Sequence, residues 1–302
     1  MFLCRYCHGD DHFCPANPPI IDCASTGWSS YDAMPWRNNG NTFSTVCADV
    51  TGDGVMDLFN AEIRHFWAGK SSDPSTLLVG SVSGGAVKYS RVDRTAQGLD
   101  WPHPTSGWNE GGLMAAAEDL DNDGRSDILV ASSDYADQYL WVFHQKADGT
   151  FEEKGEAFGL HHPCASGLAV ADFDRDGDLD VVVGSGTARD CGKIYKTNEI
   201  HFYENDAAKK GNYVELRLAG KAGSNASAIG ARVTLNAGGT KIVREVGGGY
   251  GHFGLQNDLT LHFGVGDCTA AAVEVRWPDA ALSTEQRGLV DAGKVTELQQ
   301  GQ

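Results

Sequence analysis

Short β-branched apolar runs, each closed by turn residues, recur through the middle of this chain. The runs at 127–132 (DILVAS), 138–144 and 150–154 are predicted strands. The stretch KADGT supplies the turn before the last of them. A further strand at about 113–118 precedes the first, so four antiparallel strands follow one another, which is the content of a propeller blade. The runs at 180–184 (DVVVG) and 199–206 (EIHFYEND) repeat part of that arrangement. From residue 212 the rhythm changes to alternation. Val214, Leu216 and Leu218, then Leu259, Leu261 and Phe263, then Val273, Val275 and Trp277 occupy every second position. That pattern reads as half-buried antiparallel strand, with LNAGGTK as a hairpin turn. A compact sandwich or barrel is expected over about 212–299.

The apolar runs at 127 and 180 are each preceded by an unusual density of carboxylates. The segment DFDRDGDLD places Asp172, Asp174, Asp176, Asp178 and Asp180 within nine positions. Such charges repel unless something neutralises them. The spacing D-x-D-x-D-G-x-x-D matches a calcium loop in which positions 1, 3 and 5 give side-chain oxygens and position 7 a backbone carbonyl, while a glycine at position 6 permits the sharp turn. The third loop therefore offers Asp172, Asp174, Asp176, the Asp178 carbonyl and Asp180. The second loop, DLDNDGRSD, offers Asp119, Asp121, Asp123, the Arg125 carbonyl and Asp127. The first, DVTGDGVMD, offers Asp49, Thr51, Asp53, the Val55 carbonyl and Asp57, and with threonine at position 3 is expected to be the weakest. An all-oxygen cage suits a hard cation, and calcium tolerates irregular geometry better than magnesium does. The host is not an EF-hand. Position 12 is Asn60, Val130 or Val183 rather than a bidentate glutamate, and strand, not helix, follows.

Composition adds limits. The chain has 302 residues, enough for two domains with real cores. Its net charge of −17 argues against nucleic acid as a partner, since phosphate binding needs clustered Lys and Arg. No apolar run approaches a membrane span, so no transmembrane segment is expected, and no signal peptide is visible at the start of the sequence. The eight cysteines, an even number alongside calcium loops, favour an oxidising compartment. Cys164 and Cys191 bracket the third loop and are expected to pair.

The strings FDRDGDLDVVV and LDNDGRSDILV, with the turns NNGNTF and KADGTF, resemble FG-GAP/VCBS repeats of integrin-α-like propellers over about residues 36–206. The resemblance implies calcium in the acidic loops, on the outer edges of the blades. About three blades are counted, fewer than a closed propeller holds. The strings SNASAIGARVTL, REVGGGYGHFGLQND, LHFGVGD and VEVRWPD resemble the ASPIC/UnbV domain, and the combination looks like the cartilage acidic protein family. The expected fold is thus all-β: calcium-binding propeller-like blades at 36–206, a small β domain at 212–299 and a Cys-rich segment at 1–35. The resemblance implies a secreted, periplasmic or cell-surface protein with no enzymatic activity, binding another protein or a glycan.

A second reading attaches to the start of the chain. CRYCH fits the C-x-x-C-H attachment motif of c-type haem, with thioethers at Cys4 and Cys7 and iron ligation by His8, which would make a redox protein. Zinc bound by Cys4, Cys7, His8, His12 and Cys14, or disulfides with Cys14 and Cys23, are the other readings. GYGHFG at 249–254 has dinucleotide-loop spacing, but the sequence after it reads as turn and strand rather than helix. No nucleophile elbow and no H-E-x-x-H motif occur.

Overall fold

The computed structural model describes residues 41–66, 73–103, 108–206, 211–221, 223–251, 254–256 and 258–302. The first unit is an antiparallel meander of β1 (Thr42–Ala48), β2 (Asp57–Arg64), β3 (Thr76–Ser83) and β4 (Ala86–Arg91). A four-residue helix, α1 (Arg94–Gln97), follows, capped by the Asp93 side chain and closed by left-handed Gly98. The second unit is β5 (Glu110–Glu118), β6 (Asp127–Ser132), β7 (Leu140–Gln145) and β8 (Phe151–Glu153), again a meander. The third is β9 (Ala165–Ala171), β10 (Asp180–Ser185) and β11 (Glu199–Tyr203), with a 3₁₀ turn at Arg189–Lys193 before β11. In each unit the acidic loop joins the first strand to the second.

Strands β1, β5 and β9 lie side by side at the inner edge, and a short pairing of β2 with β5 links the first two units. The units stack face to face as blades do. Strand β6 shows why DILVA is apolar at every position: Ile128 and Val130 face the core shared with unit one, while Leu129 and Ala131 face the core shared with unit three. Phe59, Trp141 and Phe143 fill the first of these cores, and Leu140, Val142, Leu168, Val181 and Val183 fill the second. The outer face of unit three is only half covered, and Phe173, Ile200 and Phe202 are exposed there.

From Asn212 the strands pair only among themselves. The sheet β14–β13–β16–β17 joins β13 (Arg232–Ala237), β14 (Thr240–Glu245), β16 (Ala270–Arg276) and β17 (Thr284–Asp291). It shares one core with the sheet β15–β12–β18, made of β12 (Asn212–Ala219), β15 (Leu261–Gly266) and β18 (Val295–Gln299). Val214, Leu216, Leu235, Phe263, Val273, Val275 and Trp277 are buried in it. The hairpin β13–β14 turns at Gly238 and Gly239, both at positive φ, as a two-residue turn matching strand twist requires. One pairing departs from the all-antiparallel expectation: β18 runs parallel to β12. Periodicity reports which face of a strand is buried and carries no information about the direction of its neighbour.

Cys164 and Cys191 form a disulfide, as their placement around the third loop suggested. No helix among the described residues is long and apolar enough to cross a membrane.

Candidate metal loops at the contact between the two halves

The three acidic loops share one hydrogen-bond skeleton. The carboxylate at position 1 accepts from the glycine N–H at position 6: Asp49 from Gly54 at 2.9 Å, Asp119 from Gly124 at 2.8 Å, and Asp172 from Gly177 at 3.0 Å. The carboxylate at position 5 accepts from the N–H at position 7: Asp53 from Val55, Asp123 from Arg125, and Asp176 from Asp178. The carboxylate at position 9 spans two elements. One oxygen accepts from the N–H at position 2 (Val50, Leu120 or Phe173), and the other from the backbone of the chain alongside (Gly80, Gln145 or Asn205). Asp57, Asp127 and Asp180 are correspondingly buried. Positions 4 and 6 both sit at positive φ in every loop, at Gly52 and Gly54, Asn122 and Gly124, and Arg175 and Gly177. Such a backbone turns successive N–H groups inward, toward the carboxylates that accept from them.

Two carboxylate groupings have ligand atoms within 4.8 Å of one another: Asp172, Asp174 and Asp180 in the third loop, and Asp121 and Asp123 with His144 in the second. His144 Nδ1 lies 3.0 Å from Asp127 Oδ1. That contact raises its pKa, and its Nε2 lies 4.0 Å from Asp121 Oδ2. Asp123 is paired with the Arg125 guanidinium. Oδ1 of Asp49 and Oδ1 of Asp121 are buried with no hydrogen-bond partner. Burial pushes Asp119 up to about 7, and burial with the Glu215 charge pushes Asp172 up to about 6. Asp49, Asp57 and Asp123 are raised by burial as well. Negative charge is therefore held here with too little positive charge beside it.

All three loops abut the C-terminal sheets rather than lying free on an outer edge. The Arg232 guanidinium donates to the Gly54 carbonyl. His262 Nε2 donates to Asn122 Oδ1 at 2.6 Å, and Asn122 Nδ2 donates to Asp178 Oδ1 at 2.8 Å, so one asparagine ties loop two to loop three and to β15. Gly177 lies under the Tyr213 ring, which a Cβ at that position would meet at 1.8 Å. With φ at +96°, this position needs glycine for two independent reasons. The segment after β14 also enters the blades: Tyr250 donates to the Ala115 carbonyl, and Leu255 joins the core between units two and three.

The sequence spacing named fifteen loop positions, of which Asp121, Asp123, Asp172, Asp174 and Asp180 fall in the two groupings, but it did not name Asn122, His144, His262 or Arg232. Their partners lie between 17 and 178 residues away, and no local pattern encodes such contacts. Cys4, Cys7 and His8, and with them the haem and zinc readings, lie outside the described residues.

Three models of known families match parts of the chain. Residues 119–183 match the FG-GAP-like repeat family model and residues 165–203 the FG-GAP repeat model. Residues 220–302 match the ASPIC and UnbV model. Similar curated proteins are cartilage acidic protein 1 of Xenopus tropicalis, 26% identical over 245 residues, and of Homo sapiens, 24% identical over 259 residues. These alignments cover 78% and 83% of this chain but 34% and 35% of those proteins, so the chain spans about a third of their length. The chain carries FG-GAP repeats followed by an ASPIC/UnbV domain.

Proposed function

We propose that this chain is a calcium-stabilised, non-enzymatic recognition module that works in an oxidising setting, as a secreted, periplasmic or cell-surface protein. The observation that carries the reading is the thrice-repeated loop skeleton, which in loops two and three brings ligand atoms within 4.8 Å of one another. A cation in loop three would be held by Asp172, Asp174, Asp176, Asp180 and the Asp178 carbonyl. Loop two would use Asp119, Asp121, Asp123, Asp127 and the Arg125 carbonyl, and loop one Asp49, Thr51, Asp53, Asp57 and the Val55 carbonyl. Bound calcium would supply positive charge and pin the turn ahead of a buried strand. The orphaned Oδ1 atoms of Asp49 and Asp121 support this donor set. The Cys164–Cys191 disulfide and the likeness to cartilage acidic protein 1 support the extracellular setting. Because the loops underlie the C-terminal sheets, calcium would also stiffen the contact between the two halves, whose outer surfaces then meet a protein or glycan partner.

The test is thermal unfolding with calcium and with excess chelator. A single site at a hundredfold excess over Kd contributes about 2.7 kcal/mol, so chelation is expected to lower Tm by about 5 °C or more. A Tm unmoved by chelator overturns the calcium reading.

A further inference from the structure

A cavity of about 280 Å³ lies between the inner strands β1, β5 and β9 and the C-terminal stretch 243–262. Arg244, on β14, lines it and is 8% exposed. Its Nε and Nη2 are buried and have no hydrogen-bond partner, and among the described residues it forms no ion pair. A buried guanidinium with idle donors is costly, so a fold that keeps one has a use for it. Glu118, Asp172, Glu215, Glu245 and Asp258 contribute carboxylates to the lining, and Thr45, Gln256, Thr260 and the imidazole of His262 complete its polar part. Beside them are apolar surface from Val46 and Val246 and the ring of Tyr250, whose hydroxyl is already committed to Ala115.

This combination selects a chemical class. A phosphate or carboxylate ligand would satisfy Arg244 but would be repelled by the surrounding carboxylates. A metal ion would suit the carboxylates but not the guanidinium. A hydroxyl accepts from Arg244 and donates to a carboxylate at the same time, and a sugar ring carries several hydroxyls on an otherwise apolar body. The volume lies at the lower end of the small-molecule range, room for one sugar residue rather than a chain. We propose that the cavity is a neutral-saccharide subsite, with Arg244 as its central donor and Glu118, Glu215 and Asp258, none of them a loop ligand, as acceptors. This deepens the glycan arm of the reading above, and does not depend on calcium occupying the loops.

The experiment is saturation-transfer NMR on the intact chain with glucose, galactose, mannose and N-acetylglucosamine in turn, in calcium and in excess chelator. Sodium sulfate in a thermal-shift assay is the anion arm. At least one sugar is expected to receive saturation at its ring protons. That signal should fall at least tenfold in Arg244→Met, whose Tm without sugar should equal or exceed the parent's, because an unpaired buried charge has gone. Sulfate should shift the Tm of the parent and of Arg244→Met equally, since its general stabilising effect needs no site. Should Arg244→Met fail to fold, Arg244→Lys decides: it keeps the charge but loses the planar fork, and the signal should again fall. Absence of transfer from every sugar, transfer that survives both substitutions, or a stabilisation by sulfate that Arg244→Met abolishes overturns the proposal. A sugar signal that persists while chelator leaves Tm unmoved overturns only the calcium reading. Calcium stabilisation without a sugar signal overturns only this one.

Discussion

Within each loop the carboxylates divide into two kinds, and the division predicts different phenotypes. Asp180 spends its oxygens on the N–H groups of Phe173 and Asn205 and is buried, so it holds the loop to its strands whether or not a cation is present. The Asp176 carboxylate accepts from the Asp178 N–H of its own turn. In chelator, Asp180→Ala should cost about 3 kcal/mol, from two charged hydrogen bonds lost and two N–H groups stranded. Asp176→Ala should cost under about 1 kcal/mol there, and should act mainly by removing calcium binding. Urea unfolding with and without calcium measures both, and equal losses in chelator would contradict the division. The pH dependence follows from Asp119, pushed up to about 7 by burial. The folded state then binds a proton that the unfolded state has released, so this residue's penalty is absent below the ordinary carboxylate pKa near 4 and complete above about 7. Without calcium, stability should therefore fall as pH rises through that window, and Asp172 acts in the same direction up to about 6. His162 opposes them. Burial and His201 hold it down at about 4, so its contribution is lost as pH falls below its ordinary value of 6.5. Comparing Asp119→Asn with the parent in chelator isolates the aspartate: the variant's relative stability should rise by a few kcal/mol between pH 4 and 8. A flat difference would show that Asp119 titrates normally.

At the scale of the element, β6 and β10 look alike in sequence but occupy different places. DILVAS is buried on both faces between two units, whereas in DVVVGS only Val181 and Val183 face a neighbouring unit and Val182 is half-buried. Leu129→Ala should cost about 3 kcal/mol, by lost transfer energy and the cavity left behind. Val182→Ala should cost under about 1 kcal/mol, because solvent and exposed side chains already adjoin it. Chemical denaturation of the two variants separates these outcomes, and similar losses would mean that the face beyond unit three is covered in solution. The disulfide acts on the same unit from outside the sheet. It closes a separation of 27 residues that contains all of loop three, and in the chain-entropy account contributes about 3 to 4 kcal/mol through the unfolded state.

For the whole molecule, the question is how far the two halves depend on each other. We propose that the boundary falls near residues 205–212 and that the strands from Asn212 form a unit able to fold alone, since β12–β18 pair only among themselves around one core. A fragment of residues 207–302 should keep its β circular dichroism in chelator, since it contains none of the acidic loops. It should be marginally stable, from small size and from the exposure of Tyr250 and Leu255, which pack into the blades of the full chain. Collapse of the signal in the fragment would place the folding unit across both halves.

Much of this protein was legible in one dimension because its information is local. A nine-residue carboxylate loop, a β-branched run and a two-glycine hairpin each draw on neighbours a few positions away, so pattern alone pointed to the strands of unit two, to β10 and β11, and to β12 through β16, but not to β1, β3, β4, β9, β17 or β18. The pairing of Cys164 with Cys191 agrees with their placement on either side of one loop, although spacing does not determine pairing. Local signals could not report what faces what. The parallel seat of β18, the burial of β6 on both sides, the imidazole of His144 beside loop two and the Asn122 link to His262 all join residues far apart in the chain. So does Arg244: in sequence it is an ordinary arginine in an alternating strand, and only the packing of the C-terminal sheets over the loops buries its guanidinium beside an acid-lined cavity. Burial is a property of three-dimensional neighbours, and burial is what turned these side chains from surface charges into candidate sites.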